Sequence, residues 1–333
     1  MSILVTGGAG YIGSHTVRRL TALGHEVVVL DSMEYGHRSA VIEAELVEGD
    51  IADLDLVVDV CNRRDITQVV HFAAYKSVGE SMEQPSRYWL NNVTGTVKLV
   101  EAMLTSGVKD IVFSSSCSVY GTPSVVPVTE DAPIQPESIY AESKAITERI
   151  LHWYGVTHGL RSVSLRYFNA AGASADSRIG EDWRQSLNLI PLVMKATLGK
   201  APAVKVFGND YPTPDGTCIR DYIHVDDLAD AHVKALDHLA AGGASTALNV
   251  GTGSGSSVME VIAATERLTG RSVPWQAAPR RAGDPVAVFA DPARAARLLD
   301  WHPLHGLDDI VESAWNWHST HLDGYDESPS PSP

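Results

Sequence analysis

Apolar residues in the first half of the chain come in short runs. Between the runs they recur at helical spacing. "ILVTG" (3–7), "EVVVLD" (26–31), "QVVHFAA" (68–74), "DIVFSSS" (110–116) and "SVSLRYFN" (162–169) read as strands buried on both faces. Segments 13–23, 53–64, 86–106 and 141–154 place apolar residues three and four apart, which predicts helices with one covered face. Strand–helix alternation of this kind predicts an α/β chain with a doubly wound parallel (Rossmann) sheet. Its binding crevice should lie beyond the C-terminal ends of the strands. After about residue 170 the pattern loosens, with loops such as "GNDYPTPDG" (208–216) and "NVGTGSGSS" (249–257). The expected division is a dinucleotide-binding domain over 1–168 and a second, smaller C-terminal substrate-binding lobe over 169–326, part of which is free to return to the first sheet. A Pro/Ser-rich tail over 327–333 is expected to be disordered.

The chain has 333 residues, long for one core, with 44% hydrophobic and 20% charged residues. Against 26 Lys and Arg stand 41 Asp and Glu, a net charge of −15. Such a surface argues against non-specific binding to nucleic acid or to an anionic membrane, while a few local arginines still suffice for a polyanionic small substrate. Cys61, Cys117 and Cys218 lie far apart and form no C-x-x-C, so neither a zinc site nor a disulfide framework is expected. The histidines show no metal-ligand spacing. "MSILVTGG" runs directly into an apolar strand without a leader pattern, and no apolar run approaches 18 residues. A cytoplasmic location is the expectation.

The first candidate chemistry is "VTGGAGYIGSH" (5–15), a G-x-x-G-x-x-G loop at a strand-to-helix turn. Gly7 permits the tight turn, Gly10 lets a pyrophosphate approach the backbone, and Gly13 lets the helix pack on the strand. The helix N-terminus then faces the anion. Asp31 ends the second strand, where a carboxylate accepts hydrogen bonds from ribose hydroxyls and repels a 2′-phosphate. That favours NAD over NADP.

The second is "IYAESK" (139–144). Tyr140 and Lys144 stand one helical turn apart and share a face. The plain reading is a surface pair. The chemical reading is that the ammonium lowers the phenol's pKa, so that the phenol can take a proton from an alcohol near neutral pH.

Glycine spacing and Tyr-x-x-x-Lys together are the signature of the short-chain dehydrogenase/reductase superfamily. A Ser or Thr is expected at the end of the strand before the Tyr helix, and "FSSSCSVYG" (113–121) supplies it. Over about residues 2–325 the chain resembles the UDP-glucose 4-epimerase (UDP-galactose 4-epimerase) family, in the extended branch of that superfamily. The resemblance is carried by these segments and by "VEGDI" (47–51), "HFAAYKSVGES" (71–81), "NNVTGT" (91–96), "LRYFNAAGA" (165–173), "FGNDYPTPDGTCIRDYIHVDDLA" (207–229) and "APRRAGDP" (278–285).

The resemblance implies a bound NAD and the interconversion of UDP-glucose and UDP-galactose. A 4-keto sugar forms, turns over and is reduced on its other face. Tyr140 would be the acid/base at the sugar 4-hydroxyl, Ser116 its hydrogen-bonding neighbour and Lys144 the tuning cation. Cofactor contacts would come from the glycine loop with Tyr11 and Ile12, then Asp31, Asp50, Ile51, Phe72, Ala73, Lys76, Asn91 and Phe168, besides the catalytic three. Asn169, Asn188, Leu189, Arg220, Arg281 and Asp284 would hold the UDP-sugar, with Val288 at the position that limits room beside sugar C2. A side activity on UDP-GlcNAc and UDP-GalNAc follows from valine's modest size. Relatives often pair through two helices, here 86–106 and 141–154, so a homodimer is implied.

Several plainer readings stand beside these. Arg220 and Arg281 suit phosphate oxygens but would equally form salt bridges, with Asp221 and Asp284 as candidate partners. Asn188 and Leu189 precede Pro191 and could simply start a helix. A 4,6-dehydratase on the same scaffold wants an Asp-Glu pair after the catalytic Ser/Thr, where this chain has Cys117 and Ser118. A UDP-glucuronate enzyme and a non-catalytic NAD-binding regulator are the remaining alternatives.

Overall fold

The computed structural model describes residues 1–281 and 283–325. The expected tail lies outside the described residues. In chain order the elements are β1 (Ser2–Thr6), α1 (Tyr11–Ala22), β2 (Glu26–Asp31), β3 (Glu45–Glu48), α2 (Leu54–Arg63), β4 (Ile66–His71), α3 (Val78–Glu83), α4 (Pro85–Tyr88), α5 (Thr96–Thr105), β5 (Asp110–Ser114), α6 (Ile139–His158), β6 (Arg161–Tyr167) and β7 (Asn169–Ala171). Then follow α7 (Leu189–Thr197), β8 (Val204–Phe207), β9 (Ile219–Arg220), β10 (Tyr222–His224), α8 (Val225–Ala240), β11 (Thr246–Val250), β12 (Ser256–Ser257), α9 (Val258–Thr269), β13 (Trp275–Ala278), β14 (Ala287–Val288), α10 (Ala293–Leu299) and α11 (Leu307–Thr320).

The main sheet has seven parallel strands in the order β11-β6-β5-β4-β1-β2-β3. Alternation within a strand explains its two covers. On β1, Ile3 and Val5 join one core with Val17, Leu20, Leu228, Leu236 and Trp301, while Leu4 joins the other with Val57, Leu99, Met103, Phe113 and Leu151. Helices α1, α8 and α10 therefore cover one face, and α2, α5 and α6 the other. A third core gathers Ile190, Val193 and Met194 from α7, Val204 and Val206 from β8, Val261 and Ile262 from α9, and Ile310, Val311 and Ala314 from α11. This is the body of the smaller lobe. It carries the short β12-β9-β14 sheet and the β13-β8 pair.

Three features go beyond the pattern reading. β3 escapes it because "ELVE" is a half-buried edge strand with only two apolar residues. β11, "TALNV", lies beyond residue 170 yet pairs with β6 in the main sheet, after α8 has crossed back and packed on α1. Residues 86–106 are also not one regular helix. A π-helical turn, Trp89–Gly95, stands between α4 and α5. There the Asn92 carboxamide accepts from Tyr75 N (2.9 Å) and donates to Tyr75 O and Ser143 Oγ (both 3.1 Å). Its own carbonyl takes the Thr96 hydroxyl at 2.6 Å. No helix among the described residues is long and apolar enough to cross a membrane.

Burial holds four histidines neutral. His71 and His318 are pushed down to about 3, and His224 and His232 to about 4. The hydrogen bonds around His71 agree. Thr96 gives its proton to Asn92, so it accepts from Nε2 of His71, and Nδ1 of His71 accepts from Thr6. The unfolded chain binds protons at these groups near pH 6.5, so stability is full above that value and is lost as pH falls toward 4. Each group contributes a slope of about 1.4 kcal/mol per pH unit. Melting temperature should therefore drop steeply between pH 6.5 and 4.5. A flat Tm over that range contradicts the assignment.

Candidate active site

The C-terminal ends of β1, β2, β4, β5 and β6 lie along one edge of the parallel sheet, and the loop after β1 stands at that edge. Gly7 has φ +72°, and a Cβ there would lie 2.6 Å from Ala73 N. A Cβ on Gly13 would lie 2.2 Å from the carbonyl oxygen of Gly7, so only glycine lets α1 approach the loop. Gly10 is different. A Cβ there would touch only Gly7 O, at 3.4 Å. Gly10 caps α1 with no side-chain hydrogen bond, and the first turn holds no acidic residue. This leaves uncapped N–H groups, the positive end of the helix dipole and open space together, a fit for a pyrophosphate. Asp31 at the end of β2 is buried and accepts from Ala9 N (3.0 Å) and Met33 N (2.9 Å). Each carboxylate oxygen keeps a lone pair for a further donor. Burial raises its pKa, and the two N–H donors oppose that rise.

The turn after β5 and the start of α6 meet at the same edge. Ser138 Oγ accepts from Ala141 N at 3.1 Å, which caps α6 and sets Tyr140 in its first turn. Ser116 Oγ accepts from Ser118 N (3.2 Å) and Ser118 Oγ (2.9 Å), so its own proton is free to be donated. The Ser116 hydroxyl acts on Tyr140 and favours the phenolate, but burial dominates and drives the phenol's pKa above its ordinary value. Lys144 Nζ donates to Ser114 O at 2.8 Å and lies 4.8 Å from the Phe113 ring centroid and 5.9 Å from that of Tyr140. Burial pulls the ammonium down to about 7, against the pull of the Glu148 carboxylate. The structure thus brings Ser116, Tyr140 and Lys144 together, and each ionisation is coupled to its neighbours.

The remaining candidates ring this centre. Tyr11 and Ile12 begin α1, and the Tyr11 hydroxyl donates to Gly172 O (2.7 Å). Asp50 and Ile51 follow β3, with Asp50 holding Ala52 N at 2.8 Å. Phe72 and Ala73 follow β4, and Phe72 packs 4.6 Å from the His232 ring. Asn91 lies in the π-helical turn, and Phe168 is buried after β6. On the smaller-lobe side, Asn169 Nδ2 donates to Asp221 O (3.1 Å). Asn188 is the N-cap of α7 and Leu189 its first residue, so both do begin a helix. The Asn188 carboxamide, though, reaches Glu181 Oε1 (3.1 Å) instead of capping. Arg220 is paired with Asp284, while Asp221 turns away to Thr252 and Ala290. Arg281 lies 3.9 Å above the Phe207 ring. Val288 on β14 pairs with Arg220 on β9 and packs with Val119, Tyr120, Val128, Phe168 and Ala290.

Sequence reasoning missed Ser118, Tyr167 and Glu181. Ser118 positions the Ser116 hydroxyl, and Tyr167 receives the Ser114 hydroxyl at 3.0 Å. Both sit in motifs quoted above, but no spacing rule singles them out. Glu181 is a buried carboxylate that meets Lys76 (3.6 Å) and Asn188, one candidate from each ligand's set. It has no local signature, because its partners are far away in sequence. Among the described residues no group of three or more His, Cys, Asp or Glu is arranged to hold a metal ion.

A parallel sheet with a glycine cradle and a Ser–Tyr–Lys centre defines a dinucleotide-dependent enzyme class, and residues 3–251 match the model of the "NAD dependent epimerase/dehydratase family", to which this chain belongs. Within it the chain is similar to UDP-glucose 4-epimerases. That of Lacticaseibacillus casei is 46% identical over 98% of this chain and 99% of its own length. The crystal structure of the Brucella ovis enzyme in complex with NAD is 47% identical, with a TM-score of 0.93 over 95% of this chain and 97% of that one. The Bifidobacterium longum enzyme, solved with NAD+ and UDP, is 38% identical, with a TM-score of 0.91 over 98% of this chain and 100% of that one.

The two glycines separate packing from binding. Gly13→Ala should destabilise the fold by about 1–3 kcal/mol through backbone overlap and lose dinucleotide with it. Gly10→Ala should melt like the parent yet purify with much less dinucleotide, measured by release on acid precipitation. Full dinucleotide content in Gly10→Ala would show that the open space serves no ligand.

Proposed function

We propose that this protein interconverts UDP-glucose and UDP-galactose by inverting C4 of the hexose with a tightly held NAD. The observation that carries this reading is the meeting of Ser116, Tyr140 and Lys144 beside an open glycine cradle. Bound NAD would supply a reversible hydride acceptor at sugar C4, so that the reaction has no net redox change. The glycine loop, Asp31 and Lys144 would hold the cofactor. Tyr140 moves the proton of the 4-hydroxyl off and back. Ser116 donates to the 4-oxygen, a task for which Ser118 leaves its proton free.

A phenol whose pKa burial has raised needs help to ionise, and the adjacent Lys144 ammonium supplies it. The two buried charges are cheaper together than either is alone. Arg220 and Arg281 suit the substrate's pyrophosphate, because a guanidinium fork matches two phosphate oxygens. Asp284, already on Arg220, holds that fork in place. Asn169, Asn188 and Leu189 line the sugar side. This set keeps the UDP anchored while the keto sugar turns.

We also infer a homodimer. Supporting it, Trp153 and Val156 on α6 and Met82 and Leu90 on the neighbouring 78–95 segment are large, apolar and more than half exposed. Three free thiols fit a reducing cytoplasm.

Tyr140→Phe should lose about 10²–10⁴-fold in kcat while still purifying with NAD. Near-normal turnover removes Tyr140 from the role. Lys144→Met removes the cation that favours the phenolate, so the acid limb of activity should move to higher pH, and an unchanged profile contradicts the coupling.

Val288, half-buried and branched at Cβ, leaves intermediate room beside sugar C2. A misfit of about one methyl group is worth about 1–3 kcal/mol. UDP-GlcNAc and UDP-GalNAc should therefore be interconverted less efficiently than the parent pair. Val288→Tyr should abolish the acetamido reaction and largely spare UDP-galactose. The check is kcat/KM for both pairs, and equal losses on both exclude Val288 as the gate.

A further inference from the structure

Glu148 and Arg166 form a nearly buried ion pair behind the site. Glu148 lies on α6 one turn beyond Lys144, and Arg166 lies on β6. Arg166 Nε donates to Glu148 Oε1 at 2.9 Å and Nη2 to Oε2 at 2.5 Å, with side-chain exposures of 8% and 13%. Each partner then reaches one flank of the turn that carries Ser116. Ser115 Oγ donates to Glu148 Oε1 at 2.6 Å. Arg166 Nη1 donates to the Tyr120 hydroxyl at 2.9 Å, and that hydroxyl donates to Asn249 Oδ1 at 2.7 Å. Ser116 Oγ accepts from Ser118 within the turn, and its hydroxyl faces the Tyr140 phenol. The Val119 carbonyl in the turn also accepts from Gln135 N at 2.9 Å, a tether outside α6.

We propose that the Glu148–Arg166 pair is a positioning device for Ser116: it grips Ser115 on one side and Tyr120 on the other, and so holds the Ser116 hydroxyl in register with Tyr140. Glu148 and Tyr140 are parts of one helix, so a bond from Ser115 to Glu148 ties the serine turn to the same rigid body that carries the phenol. Buried ion pairs add little net stability over a packed apolar pair, because desolvation offsets the attraction. What a bidentate pair adds is direction, and here both free edges of the pair point at the same six-residue turn. Misplacing a reacting hydroxyl by about 1 Å costs up to about 10²-fold in rate. The proposal rests on the reading of Ser116 as the donor to the sugar 4-oxygen.

The test is a double-mutant cycle on the full-length protein loaded with NAD. Ser115→Ala and Tyr120→Phe each cut one flank and leave the ion pair intact. Each should lower kcat for UDP-galactose about 10-fold, with KM within about twofold of the parent. Neither should lower kcat further once Ser116→Ala is present, because the hydroxyl they position is gone. Glu148→Gln strands the Arg166 charge and also removes a carboxylate that favours the Lys144 ammonium, so the two flank variants decide the matter. Flank variants with parental kcat, or losses that multiply fully with that of Ser116→Ala, overturn the device while leaving Ser116's role standing. Parental kcat in Ser116→Ala alone overturns the reading of Ser116, and the device with it.

Discussion

A buried ammonium is the constraint on which the site depends. Lys144 is almost without water, and burial pulls its ammonium down to about 7. The charge persists only where nearby groups replace hydration: the Ser114 carbonyl at the end of β5, the face of Phe113 and the Glu148 carboxylate one turn on. The first two belong to a central strand and the third to α6, so keeping Lys144 charged already requires the helix to lie against that strand end. Tyr140 follows as a consequence, since it shares the helix and the face. The same packing strands His71 beside the ammonium, and the positive neighbour helps to keep that imidazole neutral.

The second constraint is that two parts of the chain must be held in register. The proton-handling residues stand on the central sheet and α6. The groups suited to anchoring a nucleotide stand on the smaller lobe, on short strands and loops between 169 and 288. Asp221 joins the two. Its carboxylate accepts from Thr252 N, Thr252 Oγ1 and Ala290 N, while its carbonyl accepts from Asn169 N and Nδ2. Glu181 makes a similar join between Lys76 and Asn188.

Much of this was legible along the chain because it is local. β1, β2 and β5 are apolar on both faces and announce themselves. The glycine loop is legible since its requirement is steric and lies within seven residues. Tyr140 and Lys144 are legible since a helix converts a spacing of four into contact. What the chain hides is what tertiary structure assembles. β11 has an unremarkable pattern and becomes a central-sheet strand only because α8 returns it to β6. Glu148 reads as one more charge on an amphipathic helix, and its importance appears only when Arg166, Ser115 and Tyr120 converge on it. Arg220 could not be assigned from sequence between Asp221 and Asp284. The carboxylate next to it in sequence points elsewhere, and the distant one pairs with it.

The late arrival of β11 also bears on how the chain is made. As the polypeptide leaves the ribosome, β1 to β6 can assemble with α1 to α6 once about 170 residues have emerged, but β6 is then an edge strand with unpaired N–H and C=O groups. Its partner comes some 80 residues later, after the substrate-side segments 169–220 and all of α8. At the 5–20 residues per second typical of synthesis, that edge stays bare for roughly 4–16 seconds. Until α8 arrives, the face of β6 that it covers in the finished sheet, with Val163 and Leu165, is bare as well. The nascent chain therefore passes through a window in which a half-covered sheet must avoid other strands, a natural point for a chaperone to act.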